Sequence, residues 1–260
     1  MIIRAAIVRD AAQIVAVVRE GFTADQLQLF VYGCDGIERF LKCELELPPH
    51  LSSGVYLVAE QDGAIAGCAQ FLSGSSPLFL NYISVLSRHR GRGIGAALLV
   101  DGIARFSNGA DSLSLDVFSV NSRAQQWYSQ LGLSKTDQTD YLEVETLQRS
   151  TGNFRVDGWA QAEVCQDAFT FSSFTVTTQI GCHLIGRLGS RWFRITNASA
   201  LADPGVWSAL RTIDPARRIL ALIDPSGMCD DAQLEMRRLA STVRLSGALP
   251  TVRARLSEAR

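Results

Sequence analysis

Two spacings of apolar residues divide the chain into strands and helices. Ile2–Ile7 reads as a short strand, and behind Asp10, a good N-cap residue, Ile14, Val17 and Val18 recur at helical spacing. Thr23 to Leu47 keeps a helical period through Leu27, Phe30 and Val31 and then Ile37, Phe40 and Leu41, with breaks at Gly33 and Gly36 and a stop at Pro48-Pro49. Val55–Glu60 and Ile65–Ser73 form a hairpin, because Asp62-Gly63 supplies the positive φ that a tight turn requires. Leu78–Val85 is a further strand. A loop rich in arginine and glycine follows it and opens a helix from Gly93 to Phe106, whose face is Leu99, Ile103 and Phe106. Leu113, Leu115 and Val117 alternate as a strand, Asn121 caps a short helix that stops at Gly132, and Leu142 and Val144 suggest one more strand.

After about Ser150 the pattern changes. Ala168–Thr178, Cys182–Leu188 and Trp192–Thr196 read as strands, the last two joined by Gly189-Ser190. Helices are expected at Pro204–Ile213 and Asp230–Leu245, with Ile219–Ile223 between them as a buried strand. The reading is therefore a mixed α/β domain over residues 1–148 and a smaller α+β domain over 149–260.

Composition narrows the function. At 260 residues with 47% hydrophobic and 20% charged residues, the chain has the makings of a sizeable core, and the composition disfavours disorder or a fibrous repeat. The two parts differ slightly in charge, with 12 basic and 16 acidic residues through Ser150 and 13 and 10 after it, and neither balance makes an overall basic field that draws nucleic acid. No stretch reaches eighteen uninterrupted apolar residues, and Arg4, Arg9, Asp10, Arg19 and Glu20 interrupt the apolar start, so a cytoplasmic protein with no membrane partner is expected. Cys34, Cys43, Cys68, Cys165, Cys182 and Cys229 stand apart without a CxxC pair and read as reduced, mostly buried thiols. His50, His89 and His183 have no metal-ligand spacing, so no metal is expected.

The most informative stretch is Arg88-His89-Arg90-Gly91-Arg92-Gly93-Ile94-Gly95-Ala96, between a strand and a helix. Glycines let successive N–H groups turn toward one ligand, the helix start adds partial positive charge, and arginines add full charges. That chemistry suits a phosphate or pyrophosphate; the alternative is a glycine-rich surface turn with solvated arginines. Gly91, Gly93 and Ala96 also match the dinucleotide fingerprint, with Asp111 or Asp116 about twenty residues on. The preceding hairpin and the crowding by arginine argue against that fold, and the phosphate loop of nucleotide triphosphatases is absent.

Here the sequence resembles the GNAT superfamily of acyl-CoA-dependent N-acyltransferases. The family's [QR]-x-x-G-x-[GA] signature reads Arg90-Gly91-Arg92-Gly93-Ile94-Gly95, after Tyr82-Ile83-Ser84-Val85. Asn121-Ser122-Arg123-Ala124-Gln125-Gln126-Trp127-Tyr128-Ser129-Gln130-Leu131-Gly132 is similar to its Asn-x-x-Ala-x-x-x-Tyr-x-x-x-Gly segment. The resemblance covers residues 1–145 and implies a GNAT-like central mixed sheet flanked by helices, acetyl-CoA as cosubstrate and a small-molecule or peptide amine as acceptor. It further implies that the backbone of Ile83 and Val85, with Ser84 between them, pairs with the pantetheine arm, and that N–H groups from Arg90 to Ala96 (Arg90, Gly91, Arg92, Gly93, Ile94, Gly95 and Ala96) hold the pyrophosphate. Asn121 and Ala124 contact the cofactor, and Tyr128 protonates the leaving thiolate in the same picture, whereas a core aromatic is the plain structural reading of Tyr128.

The base is not evident. Asn81 and Ser84 stand where a glutamate would serve, Asp116 and Glu143 are weak candidates, and deprotonation through an ordered water is expected. The Thr23–Leu47 stretch is assigned loosely to substrate recognition. Gly186-Arg187-Leu188-Gly189 lacks the strand-to-helix context of a second acyl-CoA site, so residues 149–260 read as a degenerate duplicate, a substrate-binding part or a part that forms a homodimer, with Trp192 as a core or interface anchor. Two functions follow: an N-acetyltransferase acting by direct attack in a ternary complex, and a non-catalytic acyl-CoA-binding regulator.

Overall fold

The computed structural model describes residues 1–258 except 49, 73, 75, 108, 147–151 and 226–233. The elements in chain order are β1 (Ile2–Ala5), α1 (Ala11–Glu20), α2 (Ala24–Leu27), α3 (Ile37–Glu46), β2 (Gly54–Gln61), β3 (Ala64–Leu72), β4 (Leu78–Val85), α4 (Ile94–Phe106), β5 (Ser112–Phe118), α5 (Ser122–Gln130) and β6 (Ser134–Thr146). They continue as β7 (Phe154–Asp157), α6 (Trp159–Phe169), β8 (Phe171–Thr178), β9 (Cys182–Leu188), β10 (Trp192–Ile195), α7 (Ala198–Leu201), α8 (Pro204–Ile213), β11 (Arg218–Ile223), β12 (Leu234–Ala248) and α9 (Leu249–Glu258).

Contacts group the chain into two units that do not follow a single cut. The first takes Met1–Thr23, Glu38–Asp137 and Thr242–Arg260, and the second takes Ala24–Ile37 and Gln138–Ser241. The sequence-level boundary between 148 and 149 lies outside the described residues. By these contacts the Thr23–Leu47 stretch is shared, α2 going to the second unit and nearly all of α3 to the first.

In the first unit β1, β2, β3 and β4 pair antiparallel in sequence, β4 runs parallel to β5, and residues 242–248 of β12 run antiparallel to β5. One core joins Leu57, Phe71, Leu78 and Leu80 of the sheet to Leu98, Leu99 and Ile103 of α4 and to Leu249, Val252 and Leu256 of α9. The other side of the sheet meets α1, as the Ser84 hydroxyl shows by donating to the Val17 carbonyl at 2.8 Å. In the second unit β7, β8, β9 and β10 pair antiparallel, β10 runs parallel to β11, and residues 140–144 of β6 run antiparallel to β11. Its core gathers Phe174, Val176, Ile185, Phe193 and Ile195 with Val206, Trp207 and Leu210 of α8. Trp192 is buried within this unit, as a core anchor would be.

Several local expectations change. The helix expected over Asp230–Leu245 is the strand β12 from Leu234 onward, with Asp230 itself outside the described residues, and the helix comes later as α9. Leu-Glu-Met-Arg-Arg-Leu-Ala favours helix locally, but Val243 and Leu245 are buried opposite Val117 and Leu115, and tertiary pairing overrides propensity. The strand expected over Ala168–Thr178 starts only at Phe171, because α6 runs to Phe169 and Thr170 turns the chain at φ 60. Asp10 does not cap α1 through its side chain. Its carboxylate accepts the Ile7 N–H at 2.9 Å and pairs with Arg4 at 2.6 Å. Among the described cysteines Cys34 and Cys68 are buried but Cys43 and Cys182 are exposed, so the thiols are less buried than expected; Cys229 is outside the described residues. Among the described residues no helix is long and apolar enough to cross a membrane.

Candidate functional site

Everything distinctive about the first unit happens where β4 ends its pairing with β5. Leu78, Phe79 and Leu80 lie parallel to Leu113, Ser114 and Leu115, and the pairing stops there although β5 continues to Phe118. At the same place the register with β3 shifts, from Phe71 opposite Leu80 to Gln70 opposite Tyr82, which leaves Asn81 as the extra residue of a β-bulge. A bulge bends and twists the strand that carries it, so β4 parts from β5 beyond Leu80 and exposes a strand edge inside the sheet.

The register decides which backbone groups line that edge. The Leu86 N–H donates to the Ala66 carbonyl at 2.9 Å, and antiparallel pairs alternate every second residue. Ser84 and Tyr82 therefore bond back to β3, while Ile83 and Val85 turn N–H and C=O toward the gap. The Val85 carbonyl accepts from Arg90 Nε at 2.9 Å, as a carbonyl facing away from β3 can. Ser84 itself contributes neither backbone nor hydroxyl to the gap, since its Oγ is committed to Val17.

Beyond β4 the chain makes a short 3-10 turn at Ser87–His89 and enters α4 through Gly91 and Gly93, with φ of 77° and 75°. A side chain at either position would be strained, so glycine is what permits this approach to the helix. The Arg90 N–H donates to the Ser87 carbonyl and the Ala97 N–H to the Gly93 carbonyl. Between them, the amides of Gly91, Arg92, Gly93, Ile94, Gly95 and Ala96 have no hydrogen-bond acceptor among the described residues. These are the orphan donors of a helix start, with partial positive charge behind them. The loop is held from α1: Glu20 accepts the Ser87 N–H at 2.6 Å, and that bond, with Arg90 and Arg88 nearby, holds its carboxyl below the usual range.

The two motifs meet in space. A Cβ on Gly95 would sit 3.6 Å from the Trp127 ring, and the Trp127 and Tyr128 rings lie 4.8 Å apart. Asn121 caps α5, its side-chain oxygen accepting the Ala124 N–H at 3.1 Å, and Ala124 packs against the core. Tyr128 is buried in the same core as Ile94 and Leu98, and burial pushes its phenol well above the usual value. It therefore holds its proton at neutral pH more tightly than a free phenol does.

Neither candidate base is at liberty. Asp116 receives Arg244 through two bonds of 2.8 Å. Glu143 belongs to the second unit, buried between Arg218 and Arg237; burial alone would raise its carboxyl, and the two guanidinium groups together hold it low.

Sequence reasoning missed a polar chain at the bulge. Asn81 Nδ2 donates to Gln70 Oε1 at 2.9 Å, and Gln70 Nε2 donates to the Tyr56 hydroxyl at 2.7 Å, linking β4, β3 and β2. Gln70 and Tyr56 are buried. The available signal was Gln70 between Ala69 and Phe71 in an otherwise apolar strand.

In the second unit Gly186-Arg187-Leu188-Gly189 ends β9 and turns into β10, and Arg187 is buried against Glu163, the Ala162 carbonyl, Ser172 and the Trp159 ring. A cavity of about 320 Å³ in the first unit is lined by Arg4, Asp10, Glu60 and Gln13, where Arg4 is neutralised by both carboxylates. Among the described residues no three His, Cys, Asp or Glu side chains gather as a metal site.

Known proteins resemble this chain in part of its sequence and in its fold. Residues 52–133 match the family model described as acetyltransferase (GNAT) domain. N-alpha-acetyltransferase 40 of Saccharomyces cerevisiae is 34% identical over 85 residues, a match that spans 30% of this chain and 30% of that protein. Among solved structures, a tandem GNAT protein from the clavulanic acid biosynthesis pathway is 12% identical with a TM-score of 0.65 over 95% of this chain and 98% of its own. A GCN5-related N-acetyltransferase from Sphaerobacter thermophilus is 16% identical with a TM-score of 0.55, covering 95% of each chain. The likeness of fold thus extends past residue 145, where the resemblance in sequence stops.

Proposed function

From the premise that residues 52–133 form a GNAT acetyltransferase domain, we propose that the protein moves an acetyl group from acetyl-CoA to a primary amine by direct attack in a ternary complex. One observation carries the reading: β4 leaves β5 at the strand that leads into a helix start with unpaired amides. An extended amide-bearing arm can add to the Ile83–Val85 edge as a strand would, and a pyrophosphate can take the donors of Gly91–Ala96. The donor supplies an activated acetyl thioester when bound.

The remaining work falls to this chain. Ile83 and Val85 fix the arm, and for Val85 the Arg90 side chain must first release the carbonyl. Arg88, Arg90 and Arg92 add charge at the loop, and Arg90 serves through its side chain, because its own N–H is bonded to Ser87. Tyr128 gives its proton to the departing sulfur. Asn121 and Ala124 shape the start of α5 beside the first turn of α4.

The test follows melting temperature and free thiol. Acetyl-CoA should raise the melting temperature by mass action and nicotinamide dinucleotides should not. Thiol release with a panel of amines and peptides should then identify an acceptor. Stabilisation by dinucleotide alone overturns the reading. The amide of Asn81 in place of a carboxylate favours a second reading, a non-catalytic acyl-CoA-binding regulator, which tight binding without turnover on any acceptor would support.

A further inference from the structure

The acceptor side of this site has a chemistry of its own. Asn81 is the bulged residue, so its backbone stands at the point where β4 and β5 part, and its side chain reaches Gln70 on β3. One of its Nδ2 protons is committed to Gln70, and Gln70 is held in turn by Tyr56. That orientation fixes the amide plane of Asn81 and leaves Oδ1 as the acceptor it presents, since the nitrogen faces Gln70. Burial of Gln70 and Tyr56 makes the arrangement stiff, because breaking it strands buried polar atoms.

The phenol and the thiol buried beside this chain already hold their protons at neutral pH. Burial pushes the Tyr56 phenol up, aided by the negative charge of Glu44, and pushes the Cys68 thiol up to about 12, so both are already protonated. Tyr82 is the register partner of Gln70 and a phenol as well. Glu44, on α3, accepts the Ser52 and Ser53 hydroxyls at 3.1 and 3.0 Å. On the other side of the gap Asp116 is paired with Arg244.

Resting on the acetyl-transfer reading, we infer that Asn81, oriented by Gln70 and Tyr56, is a positioning residue that accepts an N–H of an amine arriving already neutral, and that the acceptors are amines of low basicity, the α-amino group of a peptide rather than the side chain of lysine. An amide oxygen can hold and aim a neutral amine but cannot deprotonate an ammonium. An α-amino group titrates near 7.7–8.0 and a lysine side chain near 10.4, so at pH 7 the neutral fraction of the former is larger by roughly 10²-fold. In the reaction the neutral nitrogen forms a bond to the acetyl carbon. The carbon–sulfur bond breaks with its electron pair on sulfur, which takes the proton of Tyr128, and one amine proton passes through solvent to restore the phenol, giving amide and thiol. The proton lost before binding goes to solvent.

One peptide amide with a free N-terminus and one internal lysine offers both nitrogens in the same molecule. With the full chain and acetyl-CoA at pH 7, fragmentation mass spectrometry should place the acetyl group on the α-nitrogen in about 10²-fold excess, and kcat/KM should rise with pH up to the acceptor's own pKa. Equal labelling, or lysine preferred, overturns the selection and leaves acetyl transfer standing. Absence of thiol release from this peptide and from every amine of the panel, with acetyl-CoA still raising the melting temperature, overturns both. Asn81→Glu is the second variant: a carboxylate at the bulge should bring the rise in kcat/KM to lower pH and shrink the preference for the α-nitrogen. Gln70→Leu should raise KM for the amine with the thermal shift by acetyl-CoA retained; unchanged amine kinetics in both variants would show that the polar chain only packs the bulge.

Discussion

The two units run the same succession of strands, three antiparallel pairings followed by one parallel pairing, and they diverge at the connection that follows the fourth strand. In the first unit the parallel pairing covers Leu78–Leu80 and then opens, and α4 begins on amides that none of the described residues caps. In the second, all of Trp192–Ile195 stays paired with β11. The connection after it is closed by its own side chains: Asn197 accepts the Ser199 N–H at 3.0 Å, and Asp203 accepts the Gly205 N–H at 2.8 Å at the start of α8. Asp203 also takes Thr178 and His183, at 2.5 and 3.0 Å. The difference teaches what an anion site requires of this fold. A helix start left uncapped by its own chain keeps its donors for a visiting anion, and one capped by its own carboxylate does not.

The largest expected effect lies in the closed unit. Burial works to raise the Asp203 carboxyl, but the bonds from Thr178, the Gly205 N–H and His183 outweigh it and hold the group ionised. Asp203→Ala should cost about 3–5 kcal/mol in urea unfolding, as removal of one partner from a buried polar cluster does, while acetyl-CoA still stabilises what remains folded. Because this carboxyl sits below its unfolded value, its contribution is present above about pH 4 and is lost as pH falls through the folded value. Acid titration of the variant should show a shallower loss than wild type; equal slopes would remove Asp203 from the account.

In the open unit Tyr128→Phe should lower turnover by about 10²–10³ and leave the fold and the acetyl-CoA shift intact, since it deletes a proton donor and keeps the ring. Steady-state kinetics at wild-type level up to about pH 9 would return Tyr128 to the core. Gly93→Asp makes the first unit imitate the second by giving the helix start a carboxylate of its own. The ligand stabilisation, about 2.7 kcal/mol at a hundredfold excess over Kd, should disappear, with some added strain from the positive φ. Retention of the shift would mean that the loop amides are not the anion's ligands. Asn121→Ala, which removes only the cap of α5, should cost about 1 kcal/mol by thermal melts and change acetyl-CoA binding least of all.

What could be read in advance follows from how locally each feature is written. The glycine turn and the Asn121–Gly132 helix are continuous stretches whose spacing carries their meaning, so both were legible residue by residue. The Asn81–Gln70–Tyr56 chain was not, because it depends on a register shift between two strands that no single stretch records. β12 misled for a related reason, as its helix-forming residues become a strand only against β5. A degenerate duplicate was only one of three readings of residues 149–260, because the second unit lacks the residues that mark the first.

The interleaving of the chain has a consequence for how the protein is made. The β5 strand of the first unit is completed by Thr242–Ala248, and its core by Leu249, Val252 and Leu256. About 120 residues separate the end of β5 from that partner, on the order of ten seconds of ribosomal elongation. Throughout that interval the nascent chain holds a hydrophobic sheet edge without its neighbour, while Gln138–Ser241 of the second unit emerges. The first unit therefore begins before the second is made and closes only after it.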